Sequence, residues 1–224
     1  MRKVQTVDAE TLLSTPLPPV RWMIPELLPA GLTLLAGASK AGKSWLCLWL
    51  CLQLAKGGKL WGRLVQPRPV LYLCLEDTYA RIQKRLFQLT EDPVPGRLYF
   101  QTSSDPIGQG LEQQLETFLA THPDTGLVVI DTLQKVRVAD QGKGVYATDY
   151  QDMAALKSLA DRHNIALLLK QGVPMKQIQE WLGHSDISTT ANIYAHLDSQ
   201  SKQLNAATME QALPLPEELP ENRW

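Results

Sequence analysis

Eight consecutive residues near the start of the chain carry the clearest chemistry. They are Gly37-Ala38-Ser39-Lys40-Ala41-Gly42-Lys43-Ser44, and they match the pattern GxxxxGK[ST] in full. Glycines in such a loop let backbone N–H groups approach phosphate oxygens, and a helix starting near Lys43 adds its positive end. Lys43 supplies a charge to the β- and γ-phosphates, and Ser44 supplies a hydroxyl ligand for Mg²⁺. The loop therefore predicts a site for ATP with magnesium.

Two acidic residues follow apolar runs further along the chain. Asp131 ends the run 127–130, the position expected for a carboxylate that holds the magnesium ion. Glu76 follows the run 70–75, and the carboxyl ends of parallel strands face the same crevice as the phosphate loop. Glu76 is the candidate that orients or deprotonates the attacking water, and Asp77 is expected to cap the next helix. The alternative for Asp131 and Glu76 is a turn or capping role.

The elements that would position these groups alternate along the chain. Strands are predicted at 32–36, 70–75, 97–102, 127–130 and 165–169, and helices at 43–56, 78–89, 111–120 and 149–163. Strands that are apolar throughout and alternate with helices are typical of a parallel sheet covered on both faces. The predicted fold class is therefore α/β.

Composition limits the functions to consider. The chain has 224 residues, 44% of them apolar, and a net charge of −1. This balance excludes a strongly basic protein that coats nucleic acid but leaves room for a local basic patch. The longest apolar run, 45–55, is too short to span a bilayer, and the first residues have no signal core. We therefore expect no membrane contact and a cytoplasmic location.

Three segments in combination resemble the RepA-type hexameric replicative helicases of the RecA superfamily, which are P-loop ATPases of the AAA type. The segments are 31–36 with the loop that follows, 70–77, and 128–132, and the resemblance covers roughly residues 15–169. It implies a RecA-like fold, ATP hydrolysis coupled to DNA, and a ring of identical subunits. It also supports Lys43 and Ser44 as nucleotide ligands, Glu76 as the catalytic glutamate and Asp131 as the magnesium-binding aspartate.

A polar loop is predicted after the strand that ends at Asp131, over residues 134–148. It holds Lys135, Arg137 and Lys143. RecA-like proteins use loops in this position to contact DNA, so these three residues are candidate DNA contacts. The alternative is an ordinary solvated loop.

The pattern changes after residue 169. Residues 167–203, with the motif Leu182-Gly183-His184 and then Tyr194, resemble the C-terminal end of tyrosine recombinases of the phage-integrase family. The resemblance implies that Tyr194 attacks a DNA phosphate and that His184 binds or protonates that phosphate. The family places arginines and an HxxR segment upstream, whereas residues 161–164 here are Asp-Arg-His-Asn. Recombinase activity is therefore not expected from this chain alone, and the alternative is a helical segment that packs on the ATPase core.

Four regions follow from these patterns. They are an irregular lead-in (1–30), a truncated RecA-like P-loop domain (31–169), an integrase-like helical segment (170–208) and a disordered tail (209–224). The expected function is ATP and magnesium binding in mobile-element replication or recombination, with DNA as a partner. Weak unstimulated turnover is expected because the arginine region of the helicases is missing. The alternatives are a DNA-binding or recombination accessory protein that uses the tail, and a nucleotide-binding remnant without turnover.

Overall fold

A parallel β-sheet forms the centre of the protein in a computed structural model, which describes residues 6–37, 40–137 and 145–172. In chain order the strands are β1 (Trp22–Ile24), β2 (Leu28–Pro29), β3 (Gly31–Gly37), β4 (Gly58–Leu60), β5 (Arg63–Val65), β6 (Val70–Cys74), β7 (Leu98–Gln101), β8 (Leu127–Asp131) and β9 (Ala166–Gly172). The helices are α1 (Ala9–Ser14), α2 (Lys43–Lys56), α3 (Tyr79–Leu89), α4 (Leu111–Thr121), α5 (Leu133–Val136) and α6 (Val145–His163).

The central sheet has five parallel strands in the order β3-β9-β8-β6-β7. Its register aligns the carboxyl ends of three neighbouring strands, because Asp131 pairs with Cys74 on one side and with Lys170 on the other. β9 also pairs with β3 on its other side, so the strand that carries Lys170 lies between the phosphate-loop strand and the strand that ends at Asp131. This topology confirms the predicted α/β class, a parallel sheet consistent with a RecA-like P-loop fold.

Both faces of the sheet are covered by helices, as expected from strands without a polar face. Along β6, Tyr72 and Cys74 belong to the hydrophobic cluster that includes α2 and α3. The alternate residues Leu71 and Leu73 belong to a second cluster that includes α4, α5 and α6. This two-residue alternation is the geometry of an extended strand between two layers.

The first strand of the phosphate site is less buried than predicted. Within the described residues β3 has one sheet neighbour, β9, and so forms an edge of the sheet. Its residues are half-buried or exposed, and Leu34 is 47% exposed. The apolar run at 32–36 predicts a buried strand. The prediction was wrong because one segment does not reveal whether its strand will lie at the edge or in the centre of the sheet.

Two further predictions about elements were wrong in part, and one hairpin was not predicted. The lead-in was expected to be irregular, but it contains α1 and the antiparallel pair β1–β2. The hairpin β4–β5 was not predicted, since its strands have three residues each. The loop expected at 134–148 begins within α5, and α6 starts at Val145 instead of residue 149.

The last predicted strand extends beyond its expected end at residue 169. β9 continues to Gly172, so Lys170, Gln171 and Gly172 are part of the central sheet. The remainder of the predicted integrase-like segment, with His184 and Tyr194, and the tail at 209–224 lie outside the described residues. The proposed boundary at 169/170 stays a prediction.

Candidate phosphate-binding site

The start of α2 has the backbone geometry of an anion site. Gly42 precedes the helix with φ 80° and ψ 4°, a left-handed conformation that glycine adopts without a Cβ penalty. The carbonyl of Gly42 accepts the N–H of Leu46 at 3.0 Å, which closes the first helical turn. The N–H groups of this turn have no acceptor inside the helix, and with the helix dipole they favour an anion. Ala38 and Ser39 of the loop lie outside the described residues.

The lysine of the loop folds back onto the strand before it. Lys43 Nζ donates a hydrogen bond to the carbonyl oxygen of Gly37 at 2.7 Å, and Lys43 is 8% exposed. Burial lowers the pKa of Lys43, and the positive charge of Lys170 lowers it further, while Asp131 acts in the opposite direction. The ammonium therefore lies at the phosphate loop, and its predicted role toward the β- and γ-phosphates stays a prediction.

Asp131 is buried and is contacted on both of its carboxylate oxygens. Tyr72 donates a hydrogen bond from its hydroxyl to Asp131 Oδ2 at 2.7 Å. Lys170 Nζ lies 2.6 Å from Asp131 Oδ1 and also donates to Ser44 Oγ at 2.9 Å. Oδ1 is fully buried and accepts no hydrogen bond within the described residues, so its contact with Lys170 is one of charge. The structure thus brings Ser44 and Asp131 to a single cation, Lys170.

Glu76 lies beside this group but is more exposed. Its Oε2 atom is 3.7 Å from Lys170 Nζ, and its side chain is 49% exposed. The position at the carboxyl end of β6 is the one predicted. The catalytic role of Glu76 stays a prediction.

The capping role predicted for Asp77 was wrong. Thr78 is the N-cap of α3, and its hydroxyl accepts the N–H of Arg81 at 3.3 Å. Asp77 accepts the N–H of Thr78 at 3.1 Å and forms ion pairs with Arg81 and Arg85. The carboxylate therefore holds two arginines beside the site.

A cleft of about 510 Å³ opens over the phosphate loop. Its volume is within the range of small-molecule sites in proteins. Its lining combines the loop with the ends of the strands and is formed by Lys40, Ala41, Gly42, Lys43, Ser44, Trp45, Glu76, Arg85, Thr132, Gln134, Lys170, Gln171 and Gly172. Arg85 stacks on the ring of Trp45, with its guanidinium carbon 5.4 Å from the ring centroid. The cleft is large enough for a nucleotide and is positively charged on its loop side.

Two residues of the site, Lys170 and Tyr72, were not predicted from the sequence. The predicted boundary at 169/170 assigns Lys170 to the integrase-like segment, although its position at the end of an apolar strand is a usable signal. Tyr72 was grouped with the apolar strand residues, and its hydroxyl, which requires a partner when buried, was the signal. Pairing of either residue with Asp131 depends on strand order.

The oxygen donors present suit magnesium. Mg²⁺ prefers hard oxygen ligands and is usually held by one or two carboxylates plus substrate phosphates. Asp131 Oδ1 is a buried carboxylate oxygen without a hydrogen bond, and the Ser44 hydroxyl contacts the same ammonium group. Among the described residues no cluster of three or more His, Cys, Asp or Glu side chains could hold a metal ion. A magnesium ion here would therefore be held by Ser44, Asp131 and the nucleotide itself.

The predicted DNA-contact loop lies partly within the described residues. Lys135 is exposed in α5, whereas Arg137 pairs with Asp152 of α6 at 3.2 Å. Lys143 lies outside the described residues. None of these contacts tests DNA binding.

A parallel sheet with a glycine-bearing loop before a helix, and a buried carboxylate at the end of the next strand but one, defines a P-loop ATPase-like protein. The family comparison agrees, since the model described as "AAA domain" matches residues 2–171. The chain belongs to the AAA domain family. A second model, "Phage integrase family", matches residues 146–201, so the two matches overlap over residues 146–171.

Curated relatives are similar to this chain over part of its length. A "Tyrosine recombinase XerC-like" protein of Caldanaerobacter subterraneus is 52% identical over 44 residues, 19% of this chain and 11% of the relative. "Tyrosine recombinase XerC" of Corynebacterium efficiens is 38% identical over 71 residues, 32% of this chain and 21% of the relative. The protein of that name from Lactobacillus delbrueckii is 29% identical over 105 residues, 45% of this chain and 35% of the relative. The chain thus spans about a tenth to a third of their lengths.

The chain thus combines the AAA domain match with a partial match to the phage integrase family and to tyrosine recombinases. In the part of the chain that the structure describes, no helix has the length and apolar character needed to cross a membrane.

Proposed function

We propose that this protein binds ATP with magnesium in the cleft over the phosphate loop and serves mobile-element replication or recombination. The observation that carries the proposal is the convergence of Lys43, Ser44 and Asp131 at the carboxyl edge of the parallel sheet. The amide groups of the first turn of α2 would bind phosphate oxygens, and Lys43 would add a charge-assisted contact.

Magnesium, when bound, would supply positive charge to the β- and γ-phosphates. Ser44 and Asp131 would hold it, and Tyr72 would orient Asp131 through the hydroxyl contact at 2.7 Å. Glu76 is proposed to accept a proton from the attacking water, because its carboxylate lines the same cleft.

Weak unstimulated hydrolysis is part of the proposal. Developing charge on the transferred phosphoryl group is stabilised by cationic groups such as an arginine supplied by a neighbour. The cleft arginine Arg85 is paired with Asp77, and Arg81 beside it contacts the same carboxylate. We expect single-stranded DNA to stimulate turnover, and phosphate release measured with and without DNA checks this. Rapid turnover without DNA would contradict this part of the proposal.

Nucleotide binding is tested with the Lys43→Ala variant. Fluorescence anisotropy of mant-ATP would give the dissociation constant for the wild-type protein and for the variant. A lost hydrogen bond from a charged group is worth about 1.5–3 kcal/mol, so we expect affinity to fall roughly tenfold or more. Lys59→Ala is the matched control, since Lys59 is exposed on β4 and outside the cleft. Equal affinities of wild type and Lys43→Ala would refute the proposed site.

A second candidate function is that of a DNA-binding or recombination accessory protein. It is favoured by the integrase match over residues 146–201 and by the recombinase relatives. In this case DNA binding would survive Lys43→Ala. A covalent DNA adduct, if one forms, should be lost in Tyr194→Phe, and its persistence would show that Tyr194 is not the nucleophile.

A third candidate, a nucleotide-binding remnant, would bind mant-ATP without releasing phosphate under any condition.

A further inference from the structure

The ammonium group of Lys170 lies among the oxygens that a bound metal would use. Its Nζ atom is 2.6 Å from Asp131 Oδ1, 2.9 Å from Ser44 Oγ and 3.7 Å from Glu76 Oε2. The side chain of Lys170 is 14% exposed and that of Asp131 is 7% exposed, so bulk water screens this contact poorly. A positive charge is therefore already present where the oxygen donors converge.

The sheet fixes this lysine in place. Lys170 pairs with Asp131 of β8 and with Leu35 of β3, so its backbone is held from both sides. Its carbonyl oxygen also accepts a hydrogen bond from the Thr132 hydroxyl at 2.8 Å. The residues before it in β9, at 166–169, are buried in the core, and Lys170 is the first position of the strand that reaches the cleft. The register of β9 between β3 and β8 therefore places the Lys170 ammonium beside Asp131.

An ammonium group and a magnesium ion would both bind the oxygens of Asp131 and Ser44. The ammonium donates three hydrogen bonds and carries one charge, whereas Mg²⁺ carries two and binds oxygens at about 2.0–2.1 Å. A metal bound to Asp131 Oδ1 would lie within a few ångströms of Lys170 Nζ, where two cations repel each other. Lys170 must therefore move away before Mg²⁺ can bind Asp131.

We propose that Lys170 competes with magnesium for Asp131 and Ser44, so that the metal binds there only when the ammonium moves away and nucleotide binding in the cleft is largely independent of metal. This inference rests on the proposed nucleotide site. Lys170 and Lys43 line one cleft, and together they offer two positive charges to a nucleotide phosphate. Removing Lys170 exposes Asp131 and Ser44 to the metal and converts the cleft to a magnesium-dependent site.

The first test needs no nucleotide. Thermal unfolding of the full chain and of Lys170→Met is measured in EDTA and in millimolar MgCl₂. The wild-type midpoint should be the same in both, whereas Lys170→Met should melt lower in EDTA and recover with Mg²⁺. Adding Asp131→Asn to Lys170→Met should abolish that recovery. An equal magnesium shift in wild type and Lys170→Met, or none in either, would overturn the proposal.

The second test measures the affinity for mant-ADP with Mg²⁺ and with EDTA. The wild-type ratio of dissociation constants should be close to one, and that of Lys170→Met should favour Mg²⁺ by roughly 5- to 150-fold, the usual range for coupled sites. Lys59→Met controls for loss of a lysine. A wild-type protein whose affinity for mant-ADP rises with Mg²⁺ by the same roughly 5- to 150-fold would overturn the inference. Because this measurement uses the wild-type protein alone, it decides the question even if Lys170→Met does not fold. Absence of binding in every condition would instead refute the proposed nucleotide site, leaving the metal-dependent melting to decide on Lys170.

Discussion

Tyr72 offers the sharpest test of how the buried carboxylate is held. Its hydroxyl donates to Asp131 Oδ2 at 2.7 Å, and the residue is 3% exposed. Burial raises the pKa of Tyr72 well above its usual range, and the negative charge of Asp131 raises it further, so the hydroxyl keeps its proton and acts as the donor. The substitution Tyr72→Phe removes this donor and leaves the ring.

The cost of this change can be worked out from the contact. A hydrogen bond to a charged group contributes about 1.5–3 kcal/mol, and an oxygen left buried without it cannot recover that energy from water. Phenylalanine fills nearly the same volume, so no cavity term is added. We expect Tyr72→Phe to lower the free energy of unfolding by about 2 kcal/mol. For a protein of this size that corresponds to a fall of about 4–8 °C in the melting temperature.

Urea unfolding monitored by circular dichroism would measure the loss in the free energy of unfolding. Tyr99→Phe is the matched control, because the Tyr99 ring packs edge-on against Phe118 and at a tilt against His122, and its hydroxyl forms no hydrogen bond within the described residues. We expect the control to lie within about 0.5 kcal/mol of wild type, as most neutral substitutions do. If Tyr72→Phe is no more destabilising than Tyr99→Phe, the hydroxyl does not hold Asp131 and the description of the site is wrong.

Two further predictions concern the buried charges and thiols. In metal-free buffer, Lys170→Met should lower the free energy of unfolding by about 3–5 kcal/mol, since it leaves Asp131 buried without an opposite charge. The double variant Asp131→Asn/Lys170→Met should lose less than the sum of the two single losses. A double-mutant cycle in urea checks this, and additive single costs would show that the two residues are not coupled. Burial raises the pKa of Cys47 to about 12 from 9.0, so above pH 9 the unfolded chain releases this proton while the folded protein retains it. Stability should therefore fall as pH rises from 9 to 12, by at most about 1.4 kcal/mol per pH unit for this thiol. The comparison of Cys47→Ala with wild type over this range would isolate the effect, and identical pH slopes would contradict it.

The local parts of the fold were predictable because each depends on a short stretch of sequence. The bounds of α2, Lys43–Lys56, follow from the loop at its start and the glycines after it. β6 and β8 follow from apolar runs long enough to cross a buried sheet. The phosphate loop and Asp131 were found for the same reason, since each motif lies next to one of these elements.

The features that were missed depend on which strands become neighbours. The exposed edge at β3 and the contact between Lys170 and Asp131 follow from the order β3-β9-β8, which no single segment encodes. The short strands β1, β2, β4 and β5 were missed because two or three residues give no measurable periodicity. Ser44, Glu76 and Asp131 were therefore predictable from the sequence as candidate site residues, but Lys170, the cation that joins them, was not.

The strand β9 explains how two family patterns can share one chain without destroying the sheet. It lies in the overlap of the AAA and integrase matches, residues 146–171, and its core positions 166–169 are aliphatic and buried between β3 and β8. A central strand requires buried apolar side chains and a compatible register, and many aliphatic sequences meet that requirement. The cleft imposes stricter requirements, because the next residue along the strand, Lys170, contacts Asp131 and Ser44, the proposed metal ligands, directly. Lys170 is compatible with the register of the strand and adds a positive charge to the site, so the effect of joining the two patterns should be sought in magnesium dependence before it is sought in stability.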